Sequence, residues 1–241
     1  MKCSIYKVGG AVRDELLGRQ SNDDDFTFVI EDDINLTLEE GFNIMRQYML
    51  DNGFTIFLET PDCLTIRGKM PDGSVGDFVL ARKELAYIKD TRRPVVALGS
   101  LYDDLERRDF TINAMAWDSN NNLIDKFDGV KDLKFKVLRT PLDSMVTLTD
   151  DPLRAVRAVR FSVMLGFEYH PDLYKALCSQ ELPELMNLVS TDRIRQELTK
   201  SFKYDNWSTF QALSKLPKLL AKSILNRDEL WFKPTTEKSN N

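Results

Sequence analysis

The strongest constraint on this chain lies near its start. Residues 4–8, Ser4-Ile5-Tyr6-Lys7-Val8, have the content of a short strand; Gly9-Gly10 interrupts it, and 11–17 reads as a helix ended by Gly18. Paired glycines at a strand-to-helix turn leave the backbone bare, and free N–H groups at the helix start can cradle a phosphate chain. Thirteen residues beyond Gly10 begins Asp23-Asp24-Asp25, leading into an aromatic and β-branched strand at 25–30. On a strand Asp23 and Asp25 project to one face. Two carboxylates there repel unless a cation lies between them, and Mg²⁺ takes such oxygen ligands together with substrate phosphates. Each feature alone has a plain reading, as a tight turn and as a solvated acidic turn.

Length and composition narrow the class. At about 150 residues per domain, 241 residues make one to two domains. With 42% hydrophobic and 29% charged residues, a globular chain with a core is expected, neither collagenous nor disordered. No apolar run reaches the ~18 residues of a membrane span, and the amino end is too short and charged for a signal peptide. Cys3, Cys63 and Cys178 are odd in number and scattered, giving no disulfide framework or zinc knuckle, so a reducing, cytoplasmic setting is expected. The single His170, read as a loop residue, excludes a histidine-built site. With 33 Lys and Arg against 38 Asp and Glu, a net −5, any nucleic acid would have to meet a local basic patch.

Further along, 38–52 has helical spacing with Phe42, Met45 and Met49 on one side, and 54–58, 63–69 and 76–81 read as strands around a turn at 70–74. Beyond 141 the pattern is helical, at 152–165, 172–178, 191–202 and 207–213, with no further strand. The expected fold is α+β: a head at 1–138 with a mixed sheet and flanking helices, an all-α neck at 139–200, and a short helical segment at 201–241. Phe26, Phe28, Phe161, Met164 and Phe167 read as core.

Gly-Gly followed by Asp-x-Asp resembles the signature of the DNA polymerase β-type nucleotidyltransferase superfamily. Val8-Gly9-Gly10-Ala11-Val12-Arg13-Asp14, Arg107-Arg108-Asp109-Phe110-Thr111-Ile112-Asn113-Ala114, Asp151-Pro152-Leu153-Arg154, Arg157-Ala158-Val159-Arg160-Phe161 and Leu165-Gly166-Phe167 occur in that order. Over residues 4–200 the chain is similar to the class II tRNA nucleotidyltransferases, the CCA-adding enzymes, with bacterial poly(A) polymerases as near relatives. The resemblance implies that Asp23 and Asp25 are the catalytic metal ligands of a two-metal Mg²⁺ site. Asp77, opening a strand that should lie beside Asp25, is a candidate extra carboxylate, or else an ordinary edge-strand acid. Asp24, at a position often apolar in relatives, should point to the opposite face. Gly9, Gly10 and Arg13 would hold the triphosphate, and Arg108, Asp109 and Asn113 the ribose and phosphates, with Arg107 a looser candidate.

Asp151, Arg154 and Arg157 are the implied base-binding set. Asp151 before Pro152 fits a helix cap with Arg154 one turn on. Cytosine and adenine both show an amine beside an acceptor nitrogen, so an Asp acceptor and an Arg donor would pair with them and not with uracil or guanine. Each good bidentate pair discriminates by about 1–3 kcal/mol. Relatives begin this motif Glu-Asp, where this chain has Asp150-Asp151. Arg160 is as readily a solvated face. Residues 87–100, with Arg92 and Arg93, resemble the flexible loop that relatives need to add the final A. Ser190, Arg193 and Glu197 resemble the family's last, structural motif, with Ser190 as a cap and Arg193 and Glu197 one turn apart.

The expected reaction is transfer of CMP and then AMP from CTP and ATP to the 3′ end of tRNA, releasing pyrophosphate. An A-adding or poly(A) polymerase, a toxin-like nucleotidyltransferase acting on tRNA, and a non-catalytic tRNA-binding module are the alternatives. Relatives usually continue far beyond their last motif, so a short form lacking most of the body and tail is expected. Lys215, Lys218, Lys222 and Arg227, interleaved with Trp207, Phe210 and Trp231, form a candidate RNA grip, against the plain reading of an amphipathic helix packed on the neck. A homodimer is another way to replace missing domains.

Overall fold

Alternation of β-branched and aromatic residues builds one sheet early in the chain, and helical periodicity takes over later. The computed structural model describes residues 2–20, 24–32, 35–87, 94–228 and 230, in two compact units, Met1–Ser144 and Met145–Asn241.

The first unit contains, in chain order, β1 (Cys3–Val8), α1 (Gly10–Leu16), β2 (Asp24–Ile30), α2 (Leu38–Asp51), β3 (Thr55–Thr60), β4 (Thr65–Lys69), β5 (Val75–Leu80), β6 (Arg82–Tyr87), β7 (Pro94–Leu98), α3 (Leu101–Glu106), β8 (Met115–Trp117), β9 (Leu123–Asp125) and α4 (Gly129–Phe135). Seven strands form a mixed sheet in the order β3-β4-β5-β2-β1-β8-β9. The fold is therefore the α+β head the sequence implies. β2 and β5 run parallel while their other neighbours are antiparallel. A parallel pair needs a long crossover, and α2 with β3 and β4 supplies it.

Helix α2 starts where Thr37 and Glu40 form a reciprocal capping box, and it lays Phe42, Met45 and Met49 on the sheet. There they meet Phe26, Phe28, Ile66, Phe78 and Leu80 in one buried cluster. Phe26 and Phe78, register partners on β2 and β5, stack at 4.8 Å. Each such side chain contributes about 1.5–3 kcal/mol by leaving water, so the parallel pair is fixed by its own core.

Where the sequence reads as a flexible loop at 87–100, the described flanks are β6 and β7, an antiparallel hairpin. Arg92 and Arg93 lie outside the described residues.

The second unit is helical: α5 (Ser144–Asp150, beginning on the last residue of the first unit), α6 (Leu153–Leu165), α7 (Pro171–Leu177), α8 (Leu182–Met186), α9 (Thr191–Tyr204), α10 (Asn206–Ser214) and α11 (Lys218–Leu225). Helix α6 packs against α9 and α10, and α11 against α8. Four of these helices match the expected spans closely. The expectation of no further strand meets a two-residue extended stretch, Glu168–Tyr169. His170 is more than a loop residue: its Nδ1 accepts the Asp172 N–H at 3.3 Å and caps α7. Phe161 and Phe167 are buried as expected. Among the described residues no helix is long and apolar enough to cross a membrane.

Candidate active site

Val8 pairs with Asp25 across β1 and β2, so the chain turns at Gly9 directly beside that acid. Gly9 has φ +74°, and a Cβ there would lie 2.7 Å from Arg108 Nη1 and 3.9 Å from Asp25 Oδ2. Glycine is thus required both by conformation and by the close approach of the arginine. Asp25 is exposed, and the parallel register sets it opposite Asp77. Register partners on neighbouring strands project to the same face. β5 is interior to the sheet, so Asp77 is no edge-strand acid, and it lies beside Asp25 as its position in the sequence suggested.

Asp77 Oδ2 accepts from Arg67 Nη1 at 2.9 Å, a cation that no sequence motif marks because β4 and β5 must first be paired. Asp24 is bound by Lys7, whose Nζ reaches it at 3.0 Å and Glu15 at 2.5 Å. Burial opposes the Lys7 charge, but the hydrogen bonds to Glu15 and Asp24 outweigh it and hold the ammonium above its ordinary pKa. Asp23 lies outside the described residues. Among those described, no group of three or more His, Cys, Asp or Glu could hold a metal ion. Asp25 and Asp77 offer carboxylate oxygens only, which is the donor chemistry that fits Mg²⁺.

Arg13 is buried and committed on two sides. Its Nε and Nη2 donate to Asp14 at 2.9 and 2.8 Å, and Nη1 donates to Asn113 Oδ1 at 2.7 Å. Asn113 Nδ2 then donates to Asp109 Oδ1 at 2.9 Å. An arginine only donates and a carboxylate only accepts, so the two ends of this chain dictate the amide's orientation. The structure therefore brings Arg13, Asp109 and Asn113, from two separate motifs, into one buried network.

Arg108 belongs to a second network, centred on a residue that sequence reading missed. Asp104, fully buried, takes Arg107 on Oδ1 and Arg108 Nη2 at 3.0 Å on Oδ2. Thr27 Oγ1 donates to the same Oδ2 at 2.8 Å. Burial alone would push the Asp104 carboxyl up, but Arg108 and Arg107, with hydrogen bonds from Arg108 and Thr27, hold it at about 2. The signal was local: Asp104, on α3, stands three and four residues before the arginines that follow the helix.

In the helical unit, the N-cap position of α6 falls on Pro152 rather than on Asp151, which stands just before it. Asp151 Oδ1 accepts the Leu153 N–H at 3.2 Å, and its Oδ2 accepts from Arg193 Nη2 at 2.9 Å. Arg154 Nη1 donates to the Thr147 carbonyl at 3.1 Å. Arg157 Nη1 lies 3.4 Å from Glu197 Oε1. Arg160 is not a solvated face: it is 8% exposed, bonded to Glu197 Oε2 at 2.5 Å and laid over the Phe161 ring at 4.1 Å. Arg193 and Glu197, one turn apart on α9, both reach across to residues on or next to α6. Lys215, Lys218 and Lys222 are exposed, whereas Arg227 donates to the carbonyls of Val189 and Ser223, each at 2.7 Å, and to that of Met186. Trp207 and Phe210 are 70% and 59% exposed.

A mixed sheet that delivers a glycine turn, an acidic strand pair and two arginine networks to one place is a nucleotidyltransferase-type head. The family described as the poly A polymerase head domain matches residues 5–139, and the chain belongs to it. It is 35% identical over 204 residues to the CCA-adding enzyme of Lactococcus lactis subsp. lactis, which covers 84% of this chain and 48% of that protein. The structure of the Bacillus stearothermophilus CCA-adding enzyme in complex with CTP aligns with a TM-score of 0.71 at 28% identity, over 92% of this chain and 51% of that one. A tRNA nucleotidyltransferase complexed with a primer tRNA and an incoming ATP analog aligns at 0.68 and 28%, over 92% of this chain and 59% of that one. The chain spans about half the length of the curated relatives it matches.

Proposed function

We propose that this chain transfers CMP and then AMP from CTP and ATP to the 3′ end of tRNA, releasing pyrophosphate. The observation that carries this reading is the register that sets Asp25 beside Asp77, next to the Gly9 turn and Arg108, in a chain about 35% identical to CCA-adding enzymes. Asp23 and Asp25 are the proposed Mg²⁺ ligands, with Asp77 as a further carboxylate. Bound there, the ions would stabilise charge on the attacking and leaving oxygens. Gly9, Gly10 and Arg13 serve the triphosphate, Arg13 by orienting Asn113. Arg108, Asp109 and Asn113 serve ribose and phosphates.

Residues 1–138 form the catalytic head in this reading, 139–200 the neck, and 201–241 a short segment toward RNA. Asp151 and Arg154 read the base. Asp151 is supported from two sides by Leu153 and Arg193, which is how a fixed acceptor for an exocyclic amine should be held. Arg157 completes the set while tied to Glu197. Arg92 and Arg93 belong to the loop proposed to accompany A addition. Exposed Lys215, Lys218 and Lys222, near Trp207 and Phe210 in sequence, suit a phosphate backbone with stacking; Arg227 supports the fold beneath them.

The test is purified protein with Mg²⁺ and a tRNA transcript lacking CCA, given CTP and ATP separately and together. Addition of C, C and A in that order is the expected result. A long A tail made without CTP would establish the poly(A) polymerase reading instead.

A further inference from the structure

We infer that Asp104 is a positioning residue: a buried carboxylate that keeps Arg108 aimed at the Gly9 turn and away from the Asp25 carboxylate. The inference rests on reading the head as a nucleotide site. Three observations carry it. Asp104 divides its oxygens, one to Arg107 and the other to Arg108 and the Thr27 hydroxyl. Thr27 is two residues from Asp25 on β2 and shares its face, so the clamp is anchored on the strand that carries the acid. Finally, Arg108 Nη1 and Asp25 Oδ2 both lie within 4 Å of one point, the place a Gly9 side chain would occupy.

An arginine this near an exposed carboxylate pairs with it unless a better acceptor holds it. An Asp25 covered by Arg108 would be a poor cation ligand, and the arginine would be withdrawn from any phosphate. Asp104 is the better acceptor: water is excluded from it, a hydroxyl orients it, and helical spacing presents it to both guanidinium groups. One acid against two arginines also leaves a net positive charge for a triphosphate.

The test uses binding, not turnover. In Asp104→Asn, which keeps the side chain's shape, the affinity for inorganic tripolyphosphate measured calorimetrically should fall about tenfold or more, as for a lost charged hydrogen bond. Mn²⁺ affinity, followed by electron paramagnetic resonance without nucleotide, should fall too as Arg108 turns to Asp25. Adding Arg108→Gln should restore Mn²⁺ binding and leave tripolyphosphate binding weak; a structural role alone predicts no such recovery. Should Asp104→Asn fail to fold, Thr27→Val loosens the same clamp and should weaken both ligands severalfold. A folded variant that binds both ligands like the parent, or a double variant without Mn²⁺ recovery, overturns the inference, as does a parent chain that binds neither. A parent that binds both but adds nothing to tRNA sinks the proposed function and leaves the role of Asp104 standing.

Discussion

The head and the helical unit each contain one buried acid holding two arginines, and the two clamps differ in where the acid comes from. Asp104, on α3, grips Arg107 and Arg108 just past the end of that helix, three and four residues away. Glu197 grips Arg157 and Arg160 from a different helix, 40 and 37 residues away. The local clamp needs little besides α3 to form, and it leaves Arg108 beside the Gly9 turn. The distant clamp ties α9 to α6, and Arg160 is buried in it. In the proposed reading one arrangement prepares a charge for a ligand; the other joins two helices.

Set against both clamps is Asp25, an acid on the exposed end of β2 rather than in a buried clamp, and it should show the largest effect. Asp25→Ala should lower nucleotide transfer by three orders of magnitude or more, since metal-stabilised charge supplies most of the acceleration in phosphoryl transfer. Its unfolding midpoint should match the parent's. Transfer assays beside a urea melt check this, and normal turnover would remove Asp25 from the site.

Glu197→Gln should do the reverse. Removing one partner of a buried ion pair costs about 3–5 kcal/mol. The loss should appear in the melt of the helical unit, while tripolyphosphate binding by the head stays unchanged. If both units were destabilised alike, the contrast between the clamps would be wrong.

How much of this was legible in sequence follows the same division. Contacts set by neighbours along the chain could be read: the Gly9-Gly10 turn, the acidic strand after it, the face of α2 with Phe42, Met45 and Met49, and the helix start just after Asp151. The strand 76–81 was placed beside Asp25, and the register confirms it. Contacts that need a pairing were not legible. Arg67 meets Asp77 only once β4 joins β5, and the one-turn spacing of Arg193 and Glu197 gives no sign of their partners on or next to α6. The short helices α5, α8 and α11 lack a periodic run long enough to see; in α11 only Leu220 and Ile224 are buried, and the lysines dominate the reading. Asp104 was local yet missed, because 101–104 lay at the edge of a stretch read as loop.

Acid should separate the clamps more gently. The folded Asp104 pKa of about 2 lies below the ordinary 3.8, so its stabilisation is complete above pH 4 and is lost as pH falls through about 2. A shift of that size is worth about 2 kcal/mol. The stability difference between the parent and Asp104→Asn should therefore shrink by that amount between about pH 5 and pH 2. A difference that holds constant over this range would mean that Asp104 is not the acid being titrated.

The most specific functional effect, at little cost in stability, should come from Arg193→Gln. The Arg193–Asp151 pair is largely solvent-exposed, with the two side chains 52% and 29% accessible, and pairs of that kind contribute under about 1 kcal/mol. The melting temperature should barely move. Yet Arg193 holds one oxygen of the acid proposed to accept the exocyclic amine, while the Leu153 N–H holds the other. With one support gone, Asp151 can turn, and the penalty that rejects uracil and guanine falls by part of the about 1–3 kcal/mol that a bidentate pair supplies. UTP and GTP misincorporation should rise severalfold with CTP use nearly intact, and Asp151→Ala should raise it further. Unchanged selectivity in both variants would place base choice elsewhere and leave the Arg193 bridge, like the Glu197 clamp, as a structural tie made from α9.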